Sequence, residues 1–389
     1  MNRLKKKICI VTGSRAEYGL LKHLARLIDE SETFELQLLV TGMHLSPEFG
    51  LTYKEIESDG FQIHKKIEML LSSDSSSSIA KSMGLGMIGF ADAFSDLQPD
   101  LVILLGDRTE ILSVASVCLV MKVPIAHLHG GETTEGAYDE AIRHSVTKMS
   151  SLHFVAAEEY RMRVVQLGED PSSVFTVGGL GVDAIHHVKL ISKEDLEAQL
   201  DFEFGEKNLL VTFHPVTMEE NSANDFQNLL SALDHFPEIH IIFTLPNSDV
   251  GGRAIIKLIQ TYCENRRNSI YFSSLGQQRY YSLLSIVDGV VGNSSSGLLE
   301  VPSFKKGTIN IGNRQKGRLK AESVIDCEPA MVDIKRSIEC LYSNEFQNIL
   351  SNVKNAYGDG DAAKQIFEII KRILNEISVK KNFFDISFK

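Results

Sequence analysis

Short, nearly uninterrupted runs of valine, isoleucine, leucine and phenylalanine recur along the 389 residues. Each is followed by glycine or polar residues and then by a longer stretch of helical spacing. Such runs are too apolar to leave one face in water, so they read as strands covered by helices on both faces of a parallel sheet. The first half carries "KICIVTG" (7–13), "FELQLLVTG" (34–42), "DLVILLGD" (100–107), "VPIAHLHGG" (123–131), "LHFVAA" (152–157) and "VFTVGG" (174–179). The second half carries "NLLVTFHP" (208–215), "HIIFTLP" (240–246), "SIYFSSLG" (269–276), "DGVVGNSS" (288–295) and "GTINIGN" (307–313). Two successive series predict an α/β chain of two Rossmann-like, doubly wound domains facing a cleft. The expected divisions are 1–185, 186–360 and a C-terminal helix, 361–389, packing back on the N-terminal domain. The polar stretch 184–208 reads as the connection, and 344–376 reads as helix. The run "SSDSSSS" (72–78) reads as a loop, either a surface linker or a lid.

Composition limits the function classes. Hydrophobic residues make up 43% and charged residues 23%, as in a globular protein. A net charge of −11 argues against nucleic acid or an anionic membrane as partner. It leaves room for a phosphate ligand held locally by arginines and backbone N–H groups. The five cysteines are scattered without CxxC spacing, which fits a reducing compartment rather than a disulfide framework. The first apolar run is only about six residues long, too short for a secretory signal. No stretch approaches the ~20 apolar residues of a membrane span. A cytoplasmic location is expected.

In doubly wound sheets, ligands sit beyond the carboxyl ends of the strands, and the unusual residues of this chain collect there. "GNSSSG" (292–297) offers Asn293, Ser294, Ser295, Ser296 and Gly297 at a helix start, as a phosphate nest or as plain capping. Glu300, one turn further on, suits the two hydroxyls of a ribose, or merely the helix dipole. Arg15 in "GSRAEYG" opposes the dipole of its own helix, a cost explained by a facing anion or by simple solvation. "GNRQKGR" adds Arg314 and Arg318. "GDRTE" places Asp107 at a strand end, as catalyst or N-cap, and "FHP" does the same for His214.

The densest stretch is "AHLHGGETTEGAYDEAIRH" (126–144). On a strand, His127 and His129 would share a face, and Glu132 or Asp139 could complete a metal site. The stronger reading is acid/base work by carboxylates. Asp107, Glu132 and Asp139 come from neighbouring strand ends, and Asp139 lies one helical turn from Arg143. Carboxylates converging in a partly dry cleft shift one another's pKa values.

Taken together, "GSRAEYG", "GDRTE", "HLHGGETTEGAYDEAIRH", "FHP" and "GNSSSGLLE…GNRQKGR" resemble the hydrolysing UDP-N-acetylglucosamine 2-epimerases, over roughly residues 7–375. The resemblance implies a glycosyltransferase-B-like fold with UDP in the cleft, no metal, no nicotinamide, and a homodimer or homotetramer. It implies loss of UDP by removal of the sugar C2 proton, giving a 2-acetamidoglycal. Water then adds with inversion at C2 and the free sugar, N-acetylmannosamine, leaves. The same chemistry on UDP-2,4-diacetamido-2,4,6-trideoxyglucose is the alternative. A transferase of the same fold and a nucleotide-sugar-binding regulator are rivals. Carried over by motif, Asp107, Glu132 and Asp139 are the acid/base carboxylates, and the fourth catalytic residue, His214, contacts the phosphate side or helps charge separation. Arg15, the 294–297 turn, Glu300 and Arg318 hold UDP, with His129, Arg143, Asn293 and Arg314 as further substrate contacts. Relatives carry a carboxylate where this chain has His129, so either Glu132 or His129 fills that catalytic place. Asp139 and Glu140 compete to face the sugar.

Overall fold

The computed structural model describes residues 5–72, 75–133, 138–215, 222–246 and 252–386, with Arg253 as backbone only. Glu135, which the helical spacing set one turn before Asp139, lies outside them, as do residues 73–74 of the serine-rich run. The chain divides into two compact units. One comprises the residues up to Ala184 with those from Gly360 onward, and the other is Ile185–Asp359.

The first unit is built on seven parallel strands, β1 (Lys6–Thr12), β2 (Phe34–Thr41), β3 (Ile63–Ile67), β4 (Leu101–Leu105), β5 (Ile125–Leu128), β6 (Leu152–Val155) and β7 (Val174–Thr176). Their order is β3-β2-β1-β4-β5-β6-β7. The second unit has six parallel strands, β8 (Lys207–Thr212), β9 (Ile239–Thr244), β10 (Ser269–Phe272), β11 (Gly289–Gly292), β12 (Gly307–Ile311) and β13 (Val324–Cys327). Their order is β10-β9-β8-β11-β12-β13. Chain order therefore reverses between β1 and β4 in one sheet and between β8 and β11 in the other. These switch points are where such sheets open a ligand crevice at their carboxyl ends.

The apolar runs bury both faces of the sheet, as their composition demands. Ile8 and Ile10 of β1 and Ile103 of β4 pack against Leu21, Leu24 and Ile28 of the helix Arg15–Asp29. Ile366 and Ile370, from the helix Ala362–Ile373, join the same core, so the last helix belongs to the first unit. On the opposite face, Cys9, Val11, Val102 and Leu104 pack against Phe90, Phe94, Ile111 and Val114. The second unit does likewise with Val211, Phe243 and Ile309 around Phe226 and Ile338.

Two strands escape the sequence reading, β3 and β13, and both are sheet edges. An edge strand has one neighbour and needs no continuous apolar run. Lysines such as Lys65 and Lys66 in "IHKKI" also discourage edge-to-edge pairing. The stretch 184–208, read as the connection, holds the boundary between the two units and contains the helix Lys193–Leu200, capped by Ser192 and buried through Leu196 and Leu200. Two other expectations are corrected. The stretch 344–376 is two helices, Asn344–Asn352 and Ala362–Ile373, separated by a turn where Gly358 and Gly360 take φ of 94° and 103°. Ser76–Ser78 of the serine run already begin the helix Ser76–Leu97, with Ser75 as its cap. No helix among the described residues is long and apolar enough to cross a membrane.

Candidate active site

At the carboxyl end of β4 the chain turns through Gly106 (φ 79°) and presents Asp107. Asp107 does not cap the following helix Thr109–Met121, whose N-cap is Arg108. Its carboxylate instead binds Nη2 of Arg143. Arg143 is 4% exposed, so this guanidinium is a buried hub rather than a ligand contact. Its Nη1 also donates to the carbonyl oxygen of Glu132 (3.0 Å) and to Oε2 of Glu140 (3.3 Å). A planar fork with five donors is suited to join several acceptors at fixed angles. Residues 107, 132 and 140 are thereby drawn together from three chain segments.

The β5 end departs from the sequence reading in one decisive way. The strand stops at Leu128, and His129 adopts a left-handed φ of 63°, so His127 and His129 do not share a strand face. His127 is fully buried, with Nδ1 on Thr147 Oγ1 (3.1 Å) and Nε2 on the Gly106 carbonyl (2.8 Å). Burial pushes its pKa down to about 3. Both of its nitrogens are used by the protein, which leaves no lone pair for a metal. His129 accepts the Leu180 N–H at Nε2 (3.2 Å), which puts its ring proton on Nδ1, 2.8 Å from Glu132 Oε1. His129 therefore orients Glu132 and offers no free nitrogen to a substrate.

Glu132 is 7% exposed. Glu140 spends its carboxylate on Arg143 and on His144 Nε2 (3.1 Å). Asp139, at the start of the helix Asp139–Met149, accepts no hydrogen bond among the described residues. Burial raises its pKa, and the charges of Arg143 and Arg108 only partly oppose this. Of the neighbouring acidic pair, Glu140 is thus the one committed to Arg143 and His144.

Arg15 begins its helix half exposed, with Nε 3.1 Å from Glu55 Oε2. Two buried carboxylates carry no signal in the sequence. Glu17 and Glu110 are buried at the ends of β1 and β4, where each looked like an ordinary first-turn acid.

In the second unit, the β8 and β11 ends are tied by Asn293. Its Oδ1 accepts the His214 N–H (2.7 Å) and its Nδ2 donates to the His214 carbonyl (2.8 Å). At 1% exposure, with both ends of its amide bonded, Asn293 is a clamp and not the ligand contact expected. Its own carbonyl accepts from Arg314 Nη1 and Gln315 Nε2, both 2.9 Å away. Arg314 is exposed and Arg318, in the same turn, partly so. His214 has its pKa pushed down to about 4 by burial and then by Arg314.

Gly292 is obligatory, because its φ is 141° and a Cβ there would meet the Thr212 carbonyl oxygen at 2.0 Å. Ser294 and Ser295 are partly exposed at the head of the short helix Ser296–Leu299. Ser296 Oγ bonds the Tyr280 hydroxyl (2.6 Å), and the Tyr281 hydroxyl donates to Glu300 Oε1 (3.4 Å). Burial raises the Glu300 pKa. Tyr280, Tyr281 and Gln315 carried no motif signal. Their positions follow only from how the helix Gly276–Ile286 and the 312–318 turn pack beside the β11 end.

The model of the UDP-N-acetylglucosamine 2-epimerase family matches residues 26–371. A GDP/UDP-N,N'-diacetylbacillosamine 2-epimerase (hydrolyzing) of Campylobacter jejuni is 46% identical over 98% of this chain and 100% of its own. Polysialic acid biosynthesis protein P7 of Escherichia coli is 40% identical over 98% of each chain. The crystal structure of UDP-GlcNAc 2-epimerase from Neisseria meningitidis bound to UDP-GlcNAc superposes with a TM-score of 0.81 at 17% identity, covering 94% of this chain and 100% of that one. The two parallel sheets and this likeness make the fold glycosyltransferase-B-like. With a family model spanning most of its length and relatives this similar from end to end, the chain belongs to the UDP-N-acetylglucosamine 2-epimerase family.

Proposed function

We propose that this enzyme is a hydrolysing 2-epimerase of a UDP-2-acetamido sugar. The observation that carries the reading is the Arg143 hub, which holds Asp107, Glu132 and Glu140 around one guanidinium, while the Asp139 carboxylate on the same helix bonds to none of the described residues. Elimination of UDP needs a base for the C2 proton, and hydration of the glycal needs an acid. Asp139, partly buried with a raised pKa, suits one of these tasks. Asp107, paired with Arg143, and Glu132, oriented by His129, supply the others. The leaving diphosphate carries the negative charge that develops as C1–O breaks. Ser294, Ser295, Gly297 and Arg314 are the donors proposed to receive it, with His214 beside Arg314 and with Arg15 and Arg318 as further cations. Glu300 takes the ribose hydroxyls.

The sugar favoured is 2,4-diacetamido-2,4,6-trideoxyglucose, on the strength of the 46% identity to the diacetylbacillosamine enzyme. UDP-N-acetylglucosamine, giving N-acetylmannosamine, is the second reading, supported by the description of the matching family. Incubation with each UDP-sugar in deuterated water decides both points. UDP release with one solvent deuterium at C2 of the free sugar is expected, fastest for the diacetamido substrate. Release without deuterium would instead mean simple hydrolysis or transfer. Assembly as a homodimer or homotetramer in the cytoplasm is part of the same proposal.

A further inference from the structure

A second charged cluster sits at the switch point of the first sheet, outside the acid/base set. Glu17 comes from the first turn of the helix after β1, and Arg108 and Glu110 come from the start of the helix after β4. Both carboxylate side chains are almost dry, at 10% and 3% exposure. Glu17 Oε2 accepts the Gly13 N–H at 2.7 Å. Its Oε1 is buried without a hydrogen bond, 3.7 Å from Arg108 Nε. That same Nε donates to Glu110 Oε1 at 2.6 Å, and Glu110 Oε2 accepts from Thr109 Oγ1 at 3.1 Å. A Cβ on Gly13 would meet Glu110 Oε1 at 2.7 Å, so the backbone of the β1 turn walls the cluster in.

One guanidinium faces two buried carboxylates, which leaves an uncompensated negative charge in a place that solvates it poorly. The other charged or titratable groups near the cluster do not cancel it. His44, from the turn after β2, is buried with its nitrogens on Thr12 and Thr52 hydroxyls. Asp139 adds a further carboxylate, and Arg143 is committed to Asp107. Two carboxylates sharing such a site keep one proton between them. Burial, and then the charge of Glu110, bring Glu17 up to about 7.

We propose that the Glu17–Arg108–Glu110 cluster holds one proton, on Glu17, and that the three act together as positioning residues that set the charge felt by Asp139. The role rests on the proton-transfer reading of Asp139 above. Arg108 favours the Asp139 carboxylate and Glu110 opposes it. While Glu17 is protonated, the clamp is a neutral Arg108–Glu110 pair. When Glu17 ionises, the clamp becomes negative and disfavours charge on Asp139.

The test uses the full-length protein with carboxyl-labelled glutamate. One glutamate resonance is expected to titrate near neutral pH, to vanish in Glu17→Gln, and to shift down by roughly one unit or more in Glu110→Gln, where Arg108 serves Glu17 alone. Absence of that resonance, or its survival in Glu17→Gln, overturns the proton on Glu17. In turnover, the wild type is expected to show an inflection of kcat near neutrality. Glu17→Gln is expected to lose it, with its circular dichroism unchanged, and to keep the low-pH rate at pH 8. An inflection that survives in Glu17→Gln overturns the positioning role. Should no UDP-sugar be turned over at all, the 2-epimerase reading fails by itself, and the resonance titration still decides whether Glu17 holds the proton.

Discussion

The carboxyl ends of the two sheets are built from opposite materials. In the first unit, the β1, β4 and β5 ends carry charge, with Asp107, Glu132, Glu140, Glu17 and Glu110 disposed about Arg143 and Arg108. In the second unit, the β8 and β11 ends carry neutral donors and a tight backbone, with Asn293 clamping His214 and the serines beginning a helix after Gly292. Buried charge in mutual contact is an expensive device, kept where protonation states matter. Neutral amides and hydroxyls hold an anion without titrating. On the function proposed above, the contrast separates proton transfer from anion binding along the chain, and each side of it can be broken by itself.

The largest effect belongs to the charged side. Asp139→Asn is expected to lower kcat by about 10²–10⁴ while leaving UDP affinity by calorimetry unchanged. Turnover within tenfold of wild type would remove Asp139 from the chemistry. Asp107→Asn is expected to behave similarly, with an added stability loss from the freed guanidinium. Arg143→Met strips the buried guanidinium from the Asp107 and Glu140 carboxylates, and about 3–5 kcal/mol of stability should go with it in denaturant unfolding. A loss below about 1 kcal/mol would mean that the network is solvated after all.

On the neutral side, Gly292→Ala should cost about 3 kcal/mol or more, because its Cβ has no room beside Thr212. Near-native melting would contradict the close approach of β8 and β11. Asn293→Ala is milder, at about 1–3 kcal/mol for the unbonded His214 backbone groups, and it should raise KM more than it lowers kcat. A fall in kcat alone would place His214 in the chemistry rather than in binding.

The smallest effect lies at the chain's end. Burial would push Glu169 up, but bonds from His153, Lys148 and Lys381 outweigh it and hold the carboxyl at about 2. A folded-state pKa below the unfolded value stabilises above the ordinary glutamate range, and this is lost as pH falls from about 4 toward 2. Lys381 and the Phe384 N–H, which donates to the Gly168 carbonyl (3.0 Å), tie residues 381–386 to this place. Protection factors in that segment, taken relative to intrinsic exchange at each pH, should be lower at pH 3 than at pH 6. Equal protection at both would show that apolar packing alone holds the tail.

Much of the strand-end inventory was legible because a parallel sheet leaves its functional residues directly after apolar runs. Asp107, His214 and Ser294 could be located by that rule alone, whereas Asp139 stands well past the β5 end, at the start of the next helix. What misled was local regularity. His129 was read as a continuing strand, yet a left-handed turn swings it away from His127 and onto Glu132. Arg143 and Asn293 stand in motifs that suggest ligand contacts, yet both are buried, one as a hub and the other as a clamp.

The sequence by itself determined the α/β class, the two series of buried strands and the segments that end in chemistry. These follow from periodicity and composition, which are local properties. Only the tertiary structure decided which charges meet. Arg143 reaches Asp107 across 36 residues of chain, and Glu17 and Glu110 face one guanidinium from helices that follow β1 and β4. β1 and β4 are distant in sequence and adjacent only because the sheet reverses its order between them. Electrostatic coupling depends on distance through space and on the loss of water, and neither is written in the spacing of residues along a chain.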